Sequence, residues 1–290
     1  MHDLPPNTTR FLPDAEAIAA QIPDGAFVAL PPDYSFVAME VVRALVRRRA
    51  RGLRLLGVPV LGFCADLLIG AGCVDEVQTS AVSLGEAGPA PRFTEAAESG
   101  ALRVIDATCP MVHGGLQASE KGVPFMPLRG VLGSDLLDQR GDWNVIQNPL
   151  TAEPDPIVLA SAIQPEVALF HARWADRAGN VWVGRRRELA TTAHAARRTF
   201  VTFEALHDGD LLEDELLAPG VLAGVYVSAA APAPRGAWPL GVPELYPMDD
   251  AHLAHYARLA RTREGFERYL QEFVWPSTPA KNSSPAPSRA

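Results

Sequence analysis

Three cysteines, Cys64, Cys73 and Cys109, are all the chain has. They form no Cys-x-x-Cys pair and are odd in number, so reduced thiols and a cytoplasmic location are expected. Long apolar runs are missing too. The most hydrophobic stretch, residues 53–74, is broken by Arg54, Pro59 and Asp66, which makes it a poor candidate for a spanning helix, and no membrane partner is expected. Residues 1–13 are polar and proline-rich rather than basic then apolar, so no secretory signal is read. Positive charge is in deficit. With 26 Lys and Arg against 34 Asp and Glu, the formal charge is −8, which argues against a nucleic-acid partner. No P-loop or serine nucleophile elbow occurs, and Gly70-Ala71-Gly72 is too short for a dinucleotide fingerprint.

What is present is material for a core. The 290 residues are 48% hydrophobic and 21% charged, enough for one large core or two small ones in a soluble globular protein. Apolar Val- and Leu-rich runs alternate with amphipathic stretches, the pattern of βαβ units. The expected class is α/β, an open, mainly parallel sheet with helices on both faces. Strands are expected at residues 26–30, 53–56, 76–83, 102–105, 157–160, 167–171, 199–203 and 222–227. Helices are expected at 14–22, where Asp14 is the cap, and at 35–46, where Val37, Val41, Val42, Leu45 and Val46 recur at helical spacing. Further helices are read near 64–69, 91–99, 110–121, 187–196, 251–260 and 263–273. Pro124 and Pro127 keep their segment extended, and 141–156 reads as a surface excursion. Residues 1–275 read as one domain, and the Ser/Pro/Ala-rich 276–290 as a disordered tail. The basic run Arg47-Arg48-Arg49 with Arg51 is either a helix end, where the dipole favours cations, or a nucleotide phosphate site.

Three segments then stand out in order between residues 24 and 204. They are Asp66-Leu67-Leu68-Ile69-Gly70-Ala71-Gly72-Cys73-Val74, Gly122-Val123-Pro124-Phe125-Met126-Pro127 with Arg129-Gly130, and His171-Ala172 with Ala175-Asp176 and Gly179-Asn180-Val181. Together they resemble the A-type (alpha) subunits of the family I coenzyme A transferases, the group of glutaconate and 3-oxoacid CoA-transferases. The resemblance implies the CoA-transferase (NagB/RpiA-like) fold and movement of CoA between an acyl-CoA and a carboxylic acid. It implies a coenzyme A thioester as substrate and no permanently bound cofactor. It also implies a B-type CoA-transferase partner chain that carries the nucleophilic glutamate in a Glu-x-Gly loop. A carboxylate suits that role because its acyl anhydride can be reopened by CoA, which keeps the thioester's energy. A ring-opening acyl-CoA hydrolase of the same fold, or a non-enzymatic acyl-CoA or sugar-phosphate binder, are the alternatives.

Ligands in open α/β sheets bind beyond the carboxyl ends of the strands. That rule picks out Pro31-Pro32-Asp33-Tyr34-Ser35, where the resembling subunits carry a glycine-rich loop. Pro31 and Pro32 have no N–H, so the chain departs from the pattern where an oxyanion donor would be most useful. The loop is either a reshaped acyl pocket using Asp33, Tyr34 and Ser35, or a rigid turn in which Ser35 caps the next helix. Tyr34 and Phe36 hint at an acyl group bulkier than acetate. Gly133-Ser134-Asp135 could cap a helix and hold a phosphate or pantetheine group. Glu86, in Glu86-Ala87-Gly88, and Glu204, at a strand end, are candidate catalytic carboxylates or ordinary loop and strand-end acids. His171 is a general base or a buried, hydrogen-bonded histidine. Asp176 with Gly179-Asn180 reads as an Asx turn with Asn180 suited to positive φ. His252 and His255 follow Asp249 and Asp250, which serve as helix caps, so no metal site is expected. Trp174, Trp182 and Trp238 fall in loop-rich stretches as interface anchors, and a homo- or hetero-oligomer is expected.

Overall fold

Parallel strands need crossover segments between them, and in this chain helices supply most of those crossovers. The computed structural model describes residues 9–275, so the tail expected at 276–290 lies outside the described residues. β1 (Arg10–Phe11) and α1 (Ala15–Ala19) lead into β2 (Phe27–Leu30), α2 (Met39–Arg47), β3 (Leu53–Gly57) and α3 (Phe63–Gly70). β4 (Val74–Thr79), α4 (Pro91–Glu98), β5 (Arg103–Asp106) and α5 (Cys109–Glu120) complete this half. β6 (Phe125–Leu128), α6 (Leu136–Gln139), β7 (Trp143–Gln147) and β8 (Pro156–Ser161) follow. The second half holds β9 (Val167–Ala175), β10 (Val181–Trp182), α7 (Arg187–Ala195), β11 (Arg198–Leu206), β12 (Val221–Leu222) and β13 (Ala229–Pro232). α8 (Asp250–Leu259) and α9 (Arg263–Phe273) close the described chain.

The main sheet runs β1-β13-β11-β9-β2-β3-β4-β5 with every neighbour parallel, and β10 pairs antiparallel with β9 and β12. From β2 the chain winds outward to β5, then returns to β9 on the other side of β2 and winds the opposite way. The reversal lies between β2 and β9, where the loops leaving adjacent strands diverge and open a crevice. α2 buries Met39, Val41, Val42, Leu45 and Val46 against the sheet, as its helical period predicts. Asp14 caps α1 by accepting the Ala17 amide at 2.8 Å. Phe63 of α3 meets Tyr256 of α8 edge to face, with centroids 4.8 Å apart. Among the described residues no helix is long and apolar enough to cross a membrane.

Several local expectations give way. Ser35 caps nothing: α2 starts at Met39 behind Ala38, without a side-chain cap. Phe36 at φ 53° turns the chain before the helix can begin, and Ser35 is buried with its hydroxyl donating to Glu188 at 2.5 Å. The excursion at 141–156 contains β7, which pairs antiparallel with β8 and leaves four of its five residues exposed. An edge strand of that kind carries little apolar signal. Around 222–227, β12 ends at Leu222 and Gly224–Tyr226 forms a 3₁₀ turn. The sheet strand is the alanine-rich β13, which is held between β1 and β11 rather than by β-forming side chains. Trp174 and Trp182 lie in paired strands with rings 5.3 Å apart, and Trp238 packs 4.4 Å from His252. All three are thus partly covered by their own chain. In the β9–β10 turn Gly179, at φ 87°, takes the left-handed position expected of Asn180.

Candidate active site

The loops after β2, β3 and β4 and the start of α8 enclose a cavity of about 570 Å³. Val60, Leu61, Leu84, Met248 and Leu253 form apolar wall, and Asp33, Tyr34, Ser83, Glu86 and Asp250 supply the polar groups. Of the residues expected to bind substrate, Pro32, Asp33 and Tyr34 line this cavity; Pro31, Ser35, Gly133, Ser134 and His171 do not. Phe36 also turns away into the core.

Asp33 is positioned by a turn in which the Ser35 amide donates to the Pro32 carbonyl at 2.8 Å. Its Oδ2 accepts the Phe63 amide at 2.9 Å, the first amide of α3. Gly62 precedes that helix with no side chain to cap it. A Cβ on Gly62 would lie 2.2 Å from Asp33 Oδ2, so the absence of a side chain there makes room for the carboxyl. Asp33 Oδ1 is buried without a hydrogen-bond partner. Burial pushes the Asp33 carboxyl up to about 7; the Phe63 amide opposes this, and the nearby Asp66 adds to it. Asp66 is pushed up to about 6 by burial, against the pull of Tyr256, whose hydroxyl donates to it at 2.7 Å, and of the Phe93 amide at 2.7 Å. Cys64 is buried beside them, and burial holds it as an unreactive thiol. Glu86 stands on the 3₁₀ turn Gly85–Ala87, exposed in the cavity, and has no hydrogen-bond or ion-pair partner among the described residues.

Glu204 lies elsewhere, in the carboxyl half of β11. It accepts from His171 Nε2 at 2.9 Å, from the Arg235 amide at 2.6 Å and from the Tyr246 hydroxyl. Burial alone would raise its pKa, but the bonds from His171, Tyr246 and Arg235 hold it below the usual carboxylate value. His171 is fully buried, and burial lowers its pKa despite Glu204. The consistent proton assignment is a neutral imidazole that donates Nε2–H to an ionised Glu204 and accepts the Thr202 hydroxyl at Nδ1, 2.8 Å away. The His171 amide donates to the Phe36 carbonyl at 2.6 Å. The cluster therefore fastens the loop after β2 onto β9.

The remaining candidates are structural in their contacts. Ser134 donates to the Val131 carbonyl at 2.8 Å, and α6 has only four residues and no side-chain cap. Asp176 accepts from the Asn180 amide and side chain and from the Leu211 amide, which closes the β9–β10 turn. Arg47 and Arg48 pair with Glu16, Glu40 and Asp24 at a helix end. Asp249 caps α8 through the His252 amide at 2.9 Å. Among the described residues no group of three His, Cys, Asp or Glu is placed to hold a metal ion. The sequence reading missed Gly62, took Asp250 for a helix cap where Asp249 caps and Asp250 lies in the cavity wall, and missed the burial of Asp33 and Asp66. The one available signal was Asp66, a charge inside an otherwise apolar helix.

A parallel sheet that reverses between β2 and β9, with a cavity over neighbouring strand ends, defines a ligand-binding α/β fold. The solved glutaconate coenzyme A-transferase of Acidaminococcus fermentans shares that fold, with a TM-score of 0.83, 24% identity, and coverage of 92% of this chain and 89% of that one. The A subunit of the 3-oxoadipate CoA-transferase of Pseudomonas knackmussii is 30% identical over 270 residues, 89% of this chain and 91% of that protein. The chain belongs to the A-type subunits of the CoA-transferase family. A cholesterol ring-cleaving hydrolase IpdA subunit of Rhodococcus jostii is 28% identical over 247 residues, 81% of this chain and 82% of that protein. An uncharacterized protein of Archaeoglobus fulgidus is 29% identical over 265 residues; these make up 90% of this chain but 58% of that protein, so the chain spans little over half its length. No family model matches the chain.

Proposed function

We propose that the chain is the A-type component of a cytoplasmic CoA-transferase, with the acyl thioester seated in the cavity over β2, β3 and β4. The carrying observation is that cavity, in a chain that covers 91% of the A-type component of a 3-oxoadipate CoA-transferase. On this reading a B-type partner chain brings the nucleophilic glutamate to the cavity. Its carboxylate attacks the thioester carbonyl, the C–S bond breaks, and CoA leaves as the thiolate. The thiolate then attacks the glutamyl carbonyl of the anhydride, which releases the first acid and leaves a glutamyl-CoA thioester. The present chain supplies the apolar walls that keep water from the anhydride, and the Asp33–Phe63 contact that holds two of the cavity's loops together. The substrates are an acyl-CoA and a carboxylic acid, and no cofactor is bound permanently.

Glu86 supports a second reading. An exposed carboxylate without a partner, facing the cavity, is placed to act on a thioester itself or to activate water, as a ring-opening hydrolase needs. Glu204 has no such placement, since its oxygens are engaged by His171, Tyr246 and Arg235.

The test is to purify the chain from its host, identify any co-purifying chain by mass spectrometry, and assay CoA exchange with and without it. Exchange with the partner and none without it is the expected result. Exchange by the lone chain, abolished by Glu86→Ala, would move the nucleophile onto this chain. Hydrolysis of an acyl-CoA without transfer would select the hydrolase.

A further inference from the structure

We infer, resting on the CoA-transferase reading, that the start of α7 positions Tyr34 for the substrate: Glu188 anchors the loop beside it, and Arg186 fixes the direction of its ring in the cavity wall. Tyr34 lines the cavity and is 55% exposed. A side chain so open samples several rotamers unless something holds it. Its backbone is held from both sides. Asp33, the residue before it, accepts the Phe63 amide of α3 at 2.9 Å, and Ser35, the residue after it, donates its hydroxyl to Glu188 Oε1 at 2.5 Å. What these contacts leave free is the ring. Arg186 lies over it, with the guanidinium carbon 5.3 Å from the ring centroid, within cation–π reach.

Both contacts come from one firm support. Arg186 immediately precedes α7 and Glu188 lies in its first turn, while Leu189, Thr192, Ala193 and Ala195 bury the other side of the helix. The residue types suit the role. Ser35 is fully buried, so the Glu188 carboxylate gives its hydroxyl an acceptor that water does not supply there. Among the described residues no carboxylate pairs with Arg186, so nothing draws its guanidinium off the ring. An acyl group entering the cavity therefore meets a ring already in place and does not have to order it, which favours binding. Loss of the support should weaken binding rather than slow the chemistry, because neither Arg186 nor Glu188 lines the cavity.

The test uses the chain purified from its host with whatever partner it retains, and pentanoyl-CoA and glutaryl-CoA as probes. The ester turned over faster is carried through the variants. Arg186→Met keeps the length of the side chain and removes its charge. It should raise KM about two- to fivefold, with kcat and the melting temperature little changed. Arg186→Lys keeps a cation over the ring and should recover part of that loss. In a Tyr34→Ala background Arg186→Met should add nothing, because the ring it holds is gone. Glu188→Ala should also raise KM, and Glu188→Gln, which keeps an acceptor for Ser35, should recover most of the loss. A KM unmoved by Arg186→Met, or an Arg186→Met effect undiminished in the Tyr34→Ala background, would overturn the inference and leave the transferase reading standing. Turnover of neither ester by the unaltered chain with its partner would overturn that reading, and this inference with it.

Discussion

Asp33 caps α3 from a different loop, its Oδ2 accepting the Phe63 amide at 2.9 Å across the floor of the cavity. Two of the three loops that shape the site are joined by this one contact, and Gly62 leaves the space that it occupies. The substitution Gly62→Ala places a Cβ 2.2 Å from Asp33 Oδ2. Overpacking of this kind costs about 1–3 kcal/mol. A lower melting temperature together with weaker acyl-CoA affinity is expected. An unchanged melting curve would show that the carboxyl moves aside freely.

The raised Asp33 pKa makes stability depend on pH in a definite direction. Because the folded value, about 7, lies above the ordinary carboxylate value, the folded state binds the proton more tightly than the unfolded chain. Its stabilisation is full below about pH 4 and fades as pH rises to about 7. Asp66 acts in the same direction but is exhausted by about pH 6. Asp33→Asn keeps an acceptor for the Phe63 amide and cannot titrate. Denaturant midpoints of wild type and Asn variant should therefore converge or cross between about pH 5 and pH 7.5, with the wild type losing more as pH rises. Parallel curves would contradict the assignment.

Glu204 satisfies His171, Tyr246 and the Arg235 amide at once. Glu204→Ala strands three donors and should destabilise the fold by about 3 kcal/mol. Glu204→Gln retains an acceptor and should cost less. Turnover per folded molecule should stay near wild type in the Gln variant. A collapse of kcat with an intact urea midpoint would put Glu204 in the chemistry instead.

Tyr34 is 55% exposed at the cavity, so Tyr34→Ala should shift stability by no more than about 0.5 kcal/mol while acyl-CoA affinity falls several-fold in calorimetry. From the sequence alone, removing Asp33 together with Tyr34 looks harmless to folding. The buried cap makes that untrue, and Asp33→Ala alone should lower the melting temperature. Equal affinity in Tyr34→Ala would place the acyl-CoA elsewhere.

The alternation of strands and helices, and with it the parallel sheet, was legible because Val- and Leu-rich runs such as residues 27–30 and 53–57 alternate with helices whose apolar faces recur every three to four residues. The loop after β2 was singled out because strand ends in open α/β sheets are where ligands sit, and its Pro32, Asp33 and Tyr34 line the cavity. What the sequence did not carry was pairing at a distance. β13 is alanine-rich and becomes a strand through its neighbours β1 and β11; β7 is an exposed edge with almost no period; Ser35 finds Glu188 at 2.5 Å, 153 residues away, rather than the helix beside it. Local periodicity and capping are short-range properties, written in neighbouring residues. Whether Asp33 is a solvated loop acid or a buried cap, and whether Glu86 or Glu204 faces the cavity, depends on which remote segments desolvate each carboxyl, and only the tertiary structure decides that.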